Sequence, residues 1–340
     1  MNISKHPIGV PFLDRFLEGG HQGGQQYGLL GPIGVGKTTL GTMIASQGAL
    51  REKAAADRGE AWGVWCIVSV DTPIEVVQQL VLSDLGRISR QEHKSIDYKK
   101  LCSGLQGYEH DHIAEIPHKD GVPLGEQQRY EEVCKLFGRQ LNLLDFLPED
   151  FMSDPVSVIS NRLENELGNA NYIAGIVVDY VGLIMNRHLR DSDIPAQWRA
   201  GRFKKFVEES RCRLAQKFGC PVWLIHQLNG NANKRSPVAR QHHRDAKETK
   251  HFGDHLDYCF VLGTQDPNSR CFTLECTKAL TPPIHSERVI LEIDRDFAIL
   301  RESKAMLDFT SQRIHRGKSS VMTNDDSRAE LLRLFREGKE

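Results

Sequence analysis

The chain contains 340 residues with a formal net charge of -1, and hydrophobic and charged residues make up 39% and 26% of it. This balance is typical of globular proteins and excludes the disordered and fibrous classes. The near-neutral charge also excludes an overall basic surface, so a nucleic-acid partner would require a local concentration of cations.

Short apolar runs alternate with helical patterns along most of the chain. Five runs have the length and composition of buried strands: Tyr27 to Leu30, Gly63 to Val70, Ile173 to Val178, Val222 to His226 and Tyr258 to Leu262. Four intervening segments have helical spacing: Lys37 to Leu50, Pro73 to Leu85, Pro155 to Leu167 and Gln197 to Lys217. This alternation predicts an α/β fold with a doubly wound, mainly parallel sheet.

Two more strands and two surface segments complete the predicted domain. The strands Cys271 to Thr277 and Glu287 to Ile293 are predicted to extend the sheet at one edge. The charged, Ala-rich stretch from Arg51 to Glu60 and the Gly-, His- and Pro-containing stretch from Gln106 to Glu126 are predicted surface excursions.

The composition changes near the end of the chain. Residues 1–300 are predicted to form a single ATPase domain, and residues 301–340 a charged C-terminal tail. Within the tail, only Ser327 to Glu337 regains a helical spacing, through Leu331, Leu332 and Phe335. This tail helix is predicted either to fray or to dock on a neighbouring molecule.

A glycine-rich segment lies between the first predicted strand and the first long predicted helix. Gly31-Pro-Ile-Gly-Val-Gly-Lys-Thr38 fits the pattern Gly-x4-Gly-Lys-Ser/Thr of a P-loop. Glycines allow the backbone to curl around a phosphate at the positive end of a helix, Lys37 reaches the β- and γ-phosphates, and the Thr38 hydroxyl ligates Mg²⁺. ATP and Mg²⁺ are therefore the predicted cofactors, and the predicted nucleotide-binding residues are Gly31, Gly34, Val35, Gly36, Lys37, Thr38 and Thr39.

A P-loop requires an acidic group at the end of a later strand. Asp179 directly follows the apolar run from Ile176 to Val178 and is placed to hold the hydration shell of magnesium. An aspartate after a strand alone is weak support, since such residues often only cap a turn. Together with the P-loop it predicts a metal site formed by Thr38 and Asp179.

The order of motifs resembles that of RecA-like P-loop ATPases. Ile8-Gly-Val-Pro-Phe-Leu-Asp14 and Leu17-Glu-Gly-Gly20 before the P-loop resemble the opening segment of these proteins, including the clock-protein and replicative-helicase branches. Further segments are similar to those of the ATPase domain of DnaB-type replicative helicases: Ile67-Val-Ser-Val-Asp71 with Glu75, Val178-Asp-Tyr-Val-Gly-Leu-Ile184, His226-Gln-Leu-Asn229 and Glu248 to Asp257. The resemblance covers roughly residues 8–300 and implies a RecA-like fold.

The resemblance also implies an activity. Members of this family assemble as hexamers, hydrolyse ATP between subunits and move single-stranded DNA through a central channel. By position in the motifs, Asp71 is implied as the base that activates water, and Gln227 as the residue that senses the γ-phosphate and signals to the following loop. Lys278 is implied as a cation that reaches the neighbouring subunit's site, and Lys37 and Asp179 complete the implied catalytic set.

Two departures from the family pattern predict slow turnover. The family has Glu where this sequence has Asp71, whose side chain is one methylene shorter. The family's Lys-x-Arg element matches Glu275-Cys-Thr-Lys-Ala279, which leaves Lys278 as its cation, and a lysine cannot donate the planar fork of an arginine. The family's N-terminal domain, primase and zinc modules also have no counterpart here, which favours a phage, plasmid or mobile-element type of motor or an accessory ATPase, with a replication or loader protein as a further partner.

Two basic loops are the predicted contacts with DNA. The loop from Asn186 to Pro195 follows the Asp179 strand and the loop from Asn229 to Lys250 follows the Gln227 strand. In a ring these loops would concentrate positive charge and contact phosphates without reading bases. The alternative is a pair of solvated polar loops. The predicted DNA-binding residues are Arg187, Arg190, Lys234, Arg235, Arg240, Lys247 and Lys250.

Three other functions remain open. A filament-forming recombination ATPase lacks a linker motif before Ile8, although the tail helix could substitute for it. An ATP-gated assembly switch or loader with weak hydrolysis is favoured by Asp71 and by the lone Lys278. A small-molecule kinase is least favoured, since no Arg-rich lid is identifiable.

The remaining Cys and His residues predict no further chemistry. Cys102, His110, His112 and His118 do not have the spacing of a closed zinc site. Cys66 and Cys259 lie on predicted strands and are expected to pack as small apolar residues. The histidines of the second loop are expected to contact solvent or phosphate: His242, His243, His251 and His255.

Membrane insertion and secretion are not expected. The longest apolar runs are far shorter than the roughly 20 residues that a transmembrane helix needs. The first residues lack the charged and apolar regions of a secretory signal, and the eight cysteines contain no Cys-x-x-Cys pair. A reducing cytoplasm is the expected location.

Overall fold

A computed structural model of the chain gives its architecture. The structure describes residues 5–86, 133–146, 150–151, 154–167, 170–188, 196–229, 242–247, 252–263, 271–280, 288–294 and 299–303. The predicted excursion at 106–126, the tail helix at 327–337 and the candidate zinc ligands Cys102, His110, His112 and His118 lie outside these ranges, and the division at residue 300 stays a prediction. In the described ranges, no helix has both the length and the apolar character of a membrane span.

Within the described residues, a nine-stranded sheet forms the centre of the molecule. Its strands are β3 (Gln26–Gly31), β4 (Gly63–Ser69), β5 (Leu141–Asp145), β6 (Tyr172–Asp179), β7 (Val222–Gln227), β8 (Tyr258–Leu262), β9 (Cys271–Lys278), β10 (Arg288–Asp294) and β11 (Ile299–Glu302). The strand order is β11-β10-β9-β8-β3-β7-β6-β4-β5. Strands β8 to β5 in this order are parallel, and β9, β10 and β11 are added antiparallel. The predicted mainly parallel sheet and its extension at one edge are both confirmed.

Helices connect the strands. They are α1 (Pro11–Phe16), α2 (Lys37–Asp57), α3 (Ile74–Gly86), α4 (Pro155–Asn165), α5 (Val181–His188) and α6 (Ala196–Ser210), the last continued by a π-helical segment (Arg211–Gln216). Two 3-10 turns (His243–Asp245 and Gly253–His255) precede β8, and β1 (Lys5–His6) pairs with β2 (His21–Gln22) beside the main sheet.

Both faces of the sheet are buried, which the alternation along β4 shows directly. Trp65 and Ile67 belong to a core shared with residues of α1, α2 and α3. Val64, Cys66 and Val68 point to the opposite face and belong to a core shared with α4, α5 and α6. Because both faces are covered, the strands read as nearly continuous apolar runs, as expected for parallel sheets. Cys66, and likewise Cys259 on β8, is buried in this core as predicted.

The opening segment closes on itself through Asp14. The Asp14 carboxylate accepts hydrogen bonds from the backbone N–H groups of Ile8 (2.6 Å) and Gly9 (3.0 Å). These bonds fold the extended segment onto α1, whose Phe12 and Leu13 are buried in the core. The neighbouring Arg15 forms an ion pair of 2.8 Å with Glu302 on β11, which ties the beginning of the chain to the edge of the sheet.

The prediction of a surface excursion from Arg51 to Glu60 is wrong, because α2 continues to Asp57. Alanine, lysine and glutamate are strong helix formers, and Lys53 and Asp57 add an i,i+4 ion pair. Glu52, although charged, is buried and accepts hydrogen bonds from the Gly63 N–H and the Tyr172 hydroxyl. The charges of this stretch therefore lie on a helix that packs against β4 and β6.

Other corrections concern segment boundaries. The predicted helix from Gln197 to Lys217 is α-helical only to Ser210 and then becomes π-helical. Strands β5 and β11 were not predicted; each is short and has few apolar residues, so local sequence gave little signal. The loop predicted from Asn186 to Pro195 begins with the last turn of α5.

Candidate functional site

The P-loop connects β3 to α2 at the carboxyl end of the parallel strands. Gly34 and Gly36 have φ values of +81° and +85°, a left-handed conformation that side chains other than glycine rarely adopt. Gly36 is the N-cap of α2, so the loop presents its backbone at the positive end of a 21-residue helix. Val35 and Thr39 are buried, which anchors the loop on the core on both sides of this turn. The predicted phosphate cradle is therefore formed by the backbone.

Lys37, the first residue of α2, lies inside this loop. Its side chain is 8% exposed, and its Nζ donates a hydrogen bond of 2.5 Å to the Pro32 carbonyl. Burial lowers the pKa of Lys37 to about 8, and the negative charges of Asp179 and Asp71 oppose this shift. At neutral pH the side chain is therefore mostly protonated and fits the binding of phosphate oxygens.

Thr38 and Asp179 meet at the end of β6. The Thr38 hydroxyl donates a 2.6 Å hydrogen bond to an Asp179 carboxylate oxygen, and Asp179 is only 5% exposed. Burial raises the pKa of Asp179, and the hydrogen bond from Thr38 and the charge of Lys37 oppose this shift. A hydroxyl and a carboxylate in contact are hard oxygen ligands of the kind that Mg²⁺ prefers, so these two residues fit a magnesium ion and its water shell.

Asp71 lies at the same edge of the sheet, two residues after β4. The Val70 N–H donates to the Asp179 carbonyl at 3.0 Å, which brings the chain after β4 beside the end of β6. Asp71 is exposed, and its charge raises the pKa values of both Lys37 and Asp179. Four polar groups implied by separate motifs therefore converge at one sheet edge: Lys37, Thr38, Asp71 and Asp179.

Gln227 ends β7 directly beside the P-loop. It is paired with Gly31 across the parallel strands, and the N–H of Leu228 donates to the Gly31 carbonyl at 3.1 Å. The Gln227 carbonyl in turn accepts a 2.8 Å hydrogen bond from the N–H of Lys247. The beginning and the end of the predicted second loop are thus joined to each other next to the P-loop.

Lys278 is held within its own chain. Its Nζ donates to the carbonyls of Gly253 (3.1 Å) and Asp254 (2.5 Å). Burial lowers the pKa of Lys278, and the charge of Asp254 opposes this shift. Arg244, which is exposed, lies 3.6 Å from the Asp254 carboxylate, so two cations surround this turn. Leu280, two positions beyond Lys278, is 58% exposed and occupies the place of the family's arginine.

The predicted DNA-binding residues fall into two groups. Arg187 belongs to α5 rather than to a loop, and Lys247 is half-buried at the base of the second loop. The others lie outside the described residues: Arg190, Lys234, Arg235, Arg240 and Lys250.

The expectation that His243 contacts solvent or phosphate is wrong. His243 is 6% exposed, and its Nδ1 lies 3.1 Å from the Thr277 hydroxyl while its Nε2 lies 3.4 Å from the Asp254 carboxylate. Burial lowers the pKa of His243 to about 4 despite the neighbouring acid. His226 is also buried, and no separate role was predicted for it. Its position inside an apolar strand was the available signal.

Comparisons with known proteins agree on the fold. No protein-family model and no curated protein matches this sequence. Among solved structures, a separately solved ATPase domain is similar with a TM-score of 0.62 and 14% identity over 89% of this chain and 93% of that chain. A DnaB-like replicative helicase, solved in a study of its interactions with primase, is similar with a TM-score of 0.61 and 13% identity. That match covers 88% of this chain and 63% of the helicase. These matches confirm the RecA-like fold of DnaB-type ATPase domains that the resemblance implied.

Proposed function

We propose that this chain is an ATP-hydrolysing motor that moves along single-stranded DNA as a homo-oligomer, with a hexameric ring as the expected form, during DNA replication. The observation that carries the proposal is the convergence of Lys37, Thr38, Asp71 and Asp179 at the P-loop edge, directly beside the joined ends of a basic loop. The similarity of the fold to DnaB-type ATPase domains supports it.

Each residue has a distinct part in the proposed hydrolysis. The backbone of the P-loop and Lys37 hold the β- and γ-phosphates, and Thr38 and Asp179 hold magnesium and its waters. Mg²⁺, when bound, supplies charge neutralisation at the phosphates. Asp71 orients the attacking water and accepts its proton, and its exposed position at the sheet edge leaves the carboxylate accessible to that water. Gln227 senses the γ-phosphate from the adjacent strand end.

The experiment that tests the DNA motor is steady-state ATP hydrolysis with and without single-stranded DNA. DNA is expected to stimulate turnover, and Arg235→Ala to weaken DNA binding because one cation that neutralises a phosphate is removed. The slope of log affinity against log salt is then expected to fall by about 0.7 for each phosphate of a single strand that is no longer neutralised. The control is Arg58→Ala, which removes an exposed arginine paired with the nearby Glu60. Wild-type turnover that is indifferent to DNA would contradict the proposal.

Assembly and the role of Lys278 are tested together by mixing inactive variants. If Lys278 acts on a neighbour's nucleotide, a random equal mixture of Lys37→Ala and Lys278→Ala subunits regains activity in up to about a quarter of its interfaces, because each working interface needs one intact group from each subunit. Lys217→Ala, which removes an exposed lysine paired with Glu164, serves as the control in place of Lys278→Ala. A mixture without recovered activity would place Lys278 in its own subunit only.

A second candidate function is an ATP-gated assembly switch. It is favoured by the bonds of Lys278 to the Gly253 and Asp254 carbonyls, which must break before the side chain can reach another subunit. A switch would bind ATP and assemble without stepping on DNA. Translocation measurements on single-stranded DNA distinguish the two functions.

A further inference from the structure

His226 is a buried polar residue next to the proposed sensor Gln227. Its side chain is 0% exposed, and its ring is packed against the rings of Phe203 and Phe252, with centroid distances of 5.6 Å and 4.6 Å. The ring Nε2 lies 2.8 Å from the backbone carbonyl oxygen of Lys247, 21 positions further along the chain. This bond connects the interior of β7 to the basic segment 242–247, which contains Arg244 and Lys247.

The partner of Nε2 determines the state of the ring. A carbonyl oxygen can only accept a hydrogen bond, so Nε2 carries the proton and donates it. The other nitrogen, Nδ1, is then an acceptor, and it has no hydrogen-bond partner among the described residues. Burial lowers the pKa of His226 to about 4, against the bond to Lys247, so the ring is neutral at physiological pH. An apolar ring of similar size would fill the same space without an unpartnered nitrogen, so packing alone gives no reason for an imidazole here.

The same segment is joined to the end of β7 by a short antiparallel ladder. The N–H of Lys247 donates to the Gln227 carbonyl at 2.8 Å, Leu228 forms a bridge with Ala246, and the N–H of Asn229 donates to the Asp245 carbonyl at 2.8 Å. Lys247 is therefore held at both of its backbone groups, through its N–H by Gln227 and through its carbonyl by His226. The N–H of Leu228 also donates to the carbonyl of Gly31, the first residue of the P-loop.

We infer that His226 is a positioning residue that fixes segment 242–247 to the strand beside the P-loop, so that the cations Arg244 and Lys247 follow the nucleotide state sensed at the end of β7. The inference rests on the proposed function for its effect on DNA. The role belongs to the Nε2–H donor, since this atom makes the only bond of the ring to the segment that the described residues show.

The test compares three variants. His226→Phe keeps a ring of similar size and removes the donor, and His226→Gln keeps a side-chain N–H at about the reach of Nε2. The control is His21→Phe, because His21 is equally buried, also has an unpartnered Nδ1 among the described residues and packs against Trp65 and Tyr27, away from the end of β7. His226→Phe is expected to raise the DNA concentration for half-maximal stimulation by about three- to tenfold, the effect of one missing hydrogen bond, while the KM for ATP changes less than about twofold.

His226→Gln is expected to restore most of the DNA response, which a residue needed only for packing would not do. Hydrogen exchange at the Lys247 amide gives a readout that needs no DNA. In the wild type, a non-hydrolysable ATP analogue is expected to slow this exchange, and in His226→Phe the exchange is fast with or without the analogue. His226→Phe with wild-type DNA response and wild-type exchange overturns the inference. Wild-type protein without any DNA stimulation overturns the proposed motor instead, and the exchange measurement alone then decides the role of His226.

Discussion

Lys37→Ala is expected to lower kcat for ATP hydrolysis by about 10²- to 10³-fold, the effect of removing one preorganised donor that stabilises developing charge. The reason is geometric. Lys37 begins the helix behind the phosphate cradle, is 8% exposed, and is held by the Pro32 carbonyl inside the loop. Steady-state hydrolysis and binding of a fluorescent ATP analogue, measured on the same preparation, separate a loss of turnover from a loss of binding.

The matched control is Lys53→Ala, on the same helix. Lys53 pairs with Asp57 four residues later and lies on the surface of α2, so its removal should leave kcat unchanged. The wild type adds an independent check, because the pKa of Lys37 is about 8 in the free protein. Since kcat/KM reports groups of the free enzyme, it should fall as pH rises above about 8 and Lys37 loses its proton. Unchanged turnover in Lys37→Ala would remove the P-loop from the mechanism.

Asp71→Ala is expected to lower kcat by about 10²- to 10⁴-fold, the range typical of a lost general base. Asp71 is exposed at the edge where β4 and β6 end, and its charge acts on both Lys37 and Asp179. Because the carboxylate is not part of the core, the substitution should leave the unfolding temperature close to that of the wild type. Single-turnover hydrolysis with ATP pre-bound measures this chemical step directly.

Asp71→Glu is the informative partner of this variant. A glutamate carboxylate reaches one methylene further towards the γ-phosphate, so kcat is expected to equal or exceed that of the wild type. Asp145→Ala is the control, since Asp145 is an exposed aspartate at the end of β5, the neighbour of β4 in the sheet. Equal activity of Asp71→Ala and Asp145→Ala would show that Asp71 is not the base and would favour the assembly switch.

The fold was predictable because its strands carry their own signal. β3, β4, β6, β7 and β8 are buried on both faces, and continuous apolar runs of strand length mark such strands in any sequence. The length of α2 was not predictable in the same way. Charged residues such as Glu52 looked like a surface, and only the positions of the Gly63 N–H and the Tyr172 hydroxyl make a buried carboxylate acceptable there.

The phosphate cradle and the order of the motifs were encoded locally. The P-loop is a local structure, since its glycines, lysine and threonine are consecutive and their conformations depend on φ values that glycine alone readily adopts. Asp179 followed because a P-loop needs an acid at a strand end, and an aspartate stands directly after an apolar run.

Contacts between distant residues depend instead on the tertiary structure. The bond from His226 to Lys247, the burial of His243 against Thr277, and the capture of Lys278 by the turn at Gly253 each join residues more than 20 positions apart. No local pattern encodes such contacts, because they depend on how β7, β8 and β9 bring separate segments together in the sheet. A histidine or lysine in a polar segment therefore looks exposed in the sequence, and becomes a buried donor only when the fold supplies a carbonyl or hydroxyl partner within hydrogen-bond distance.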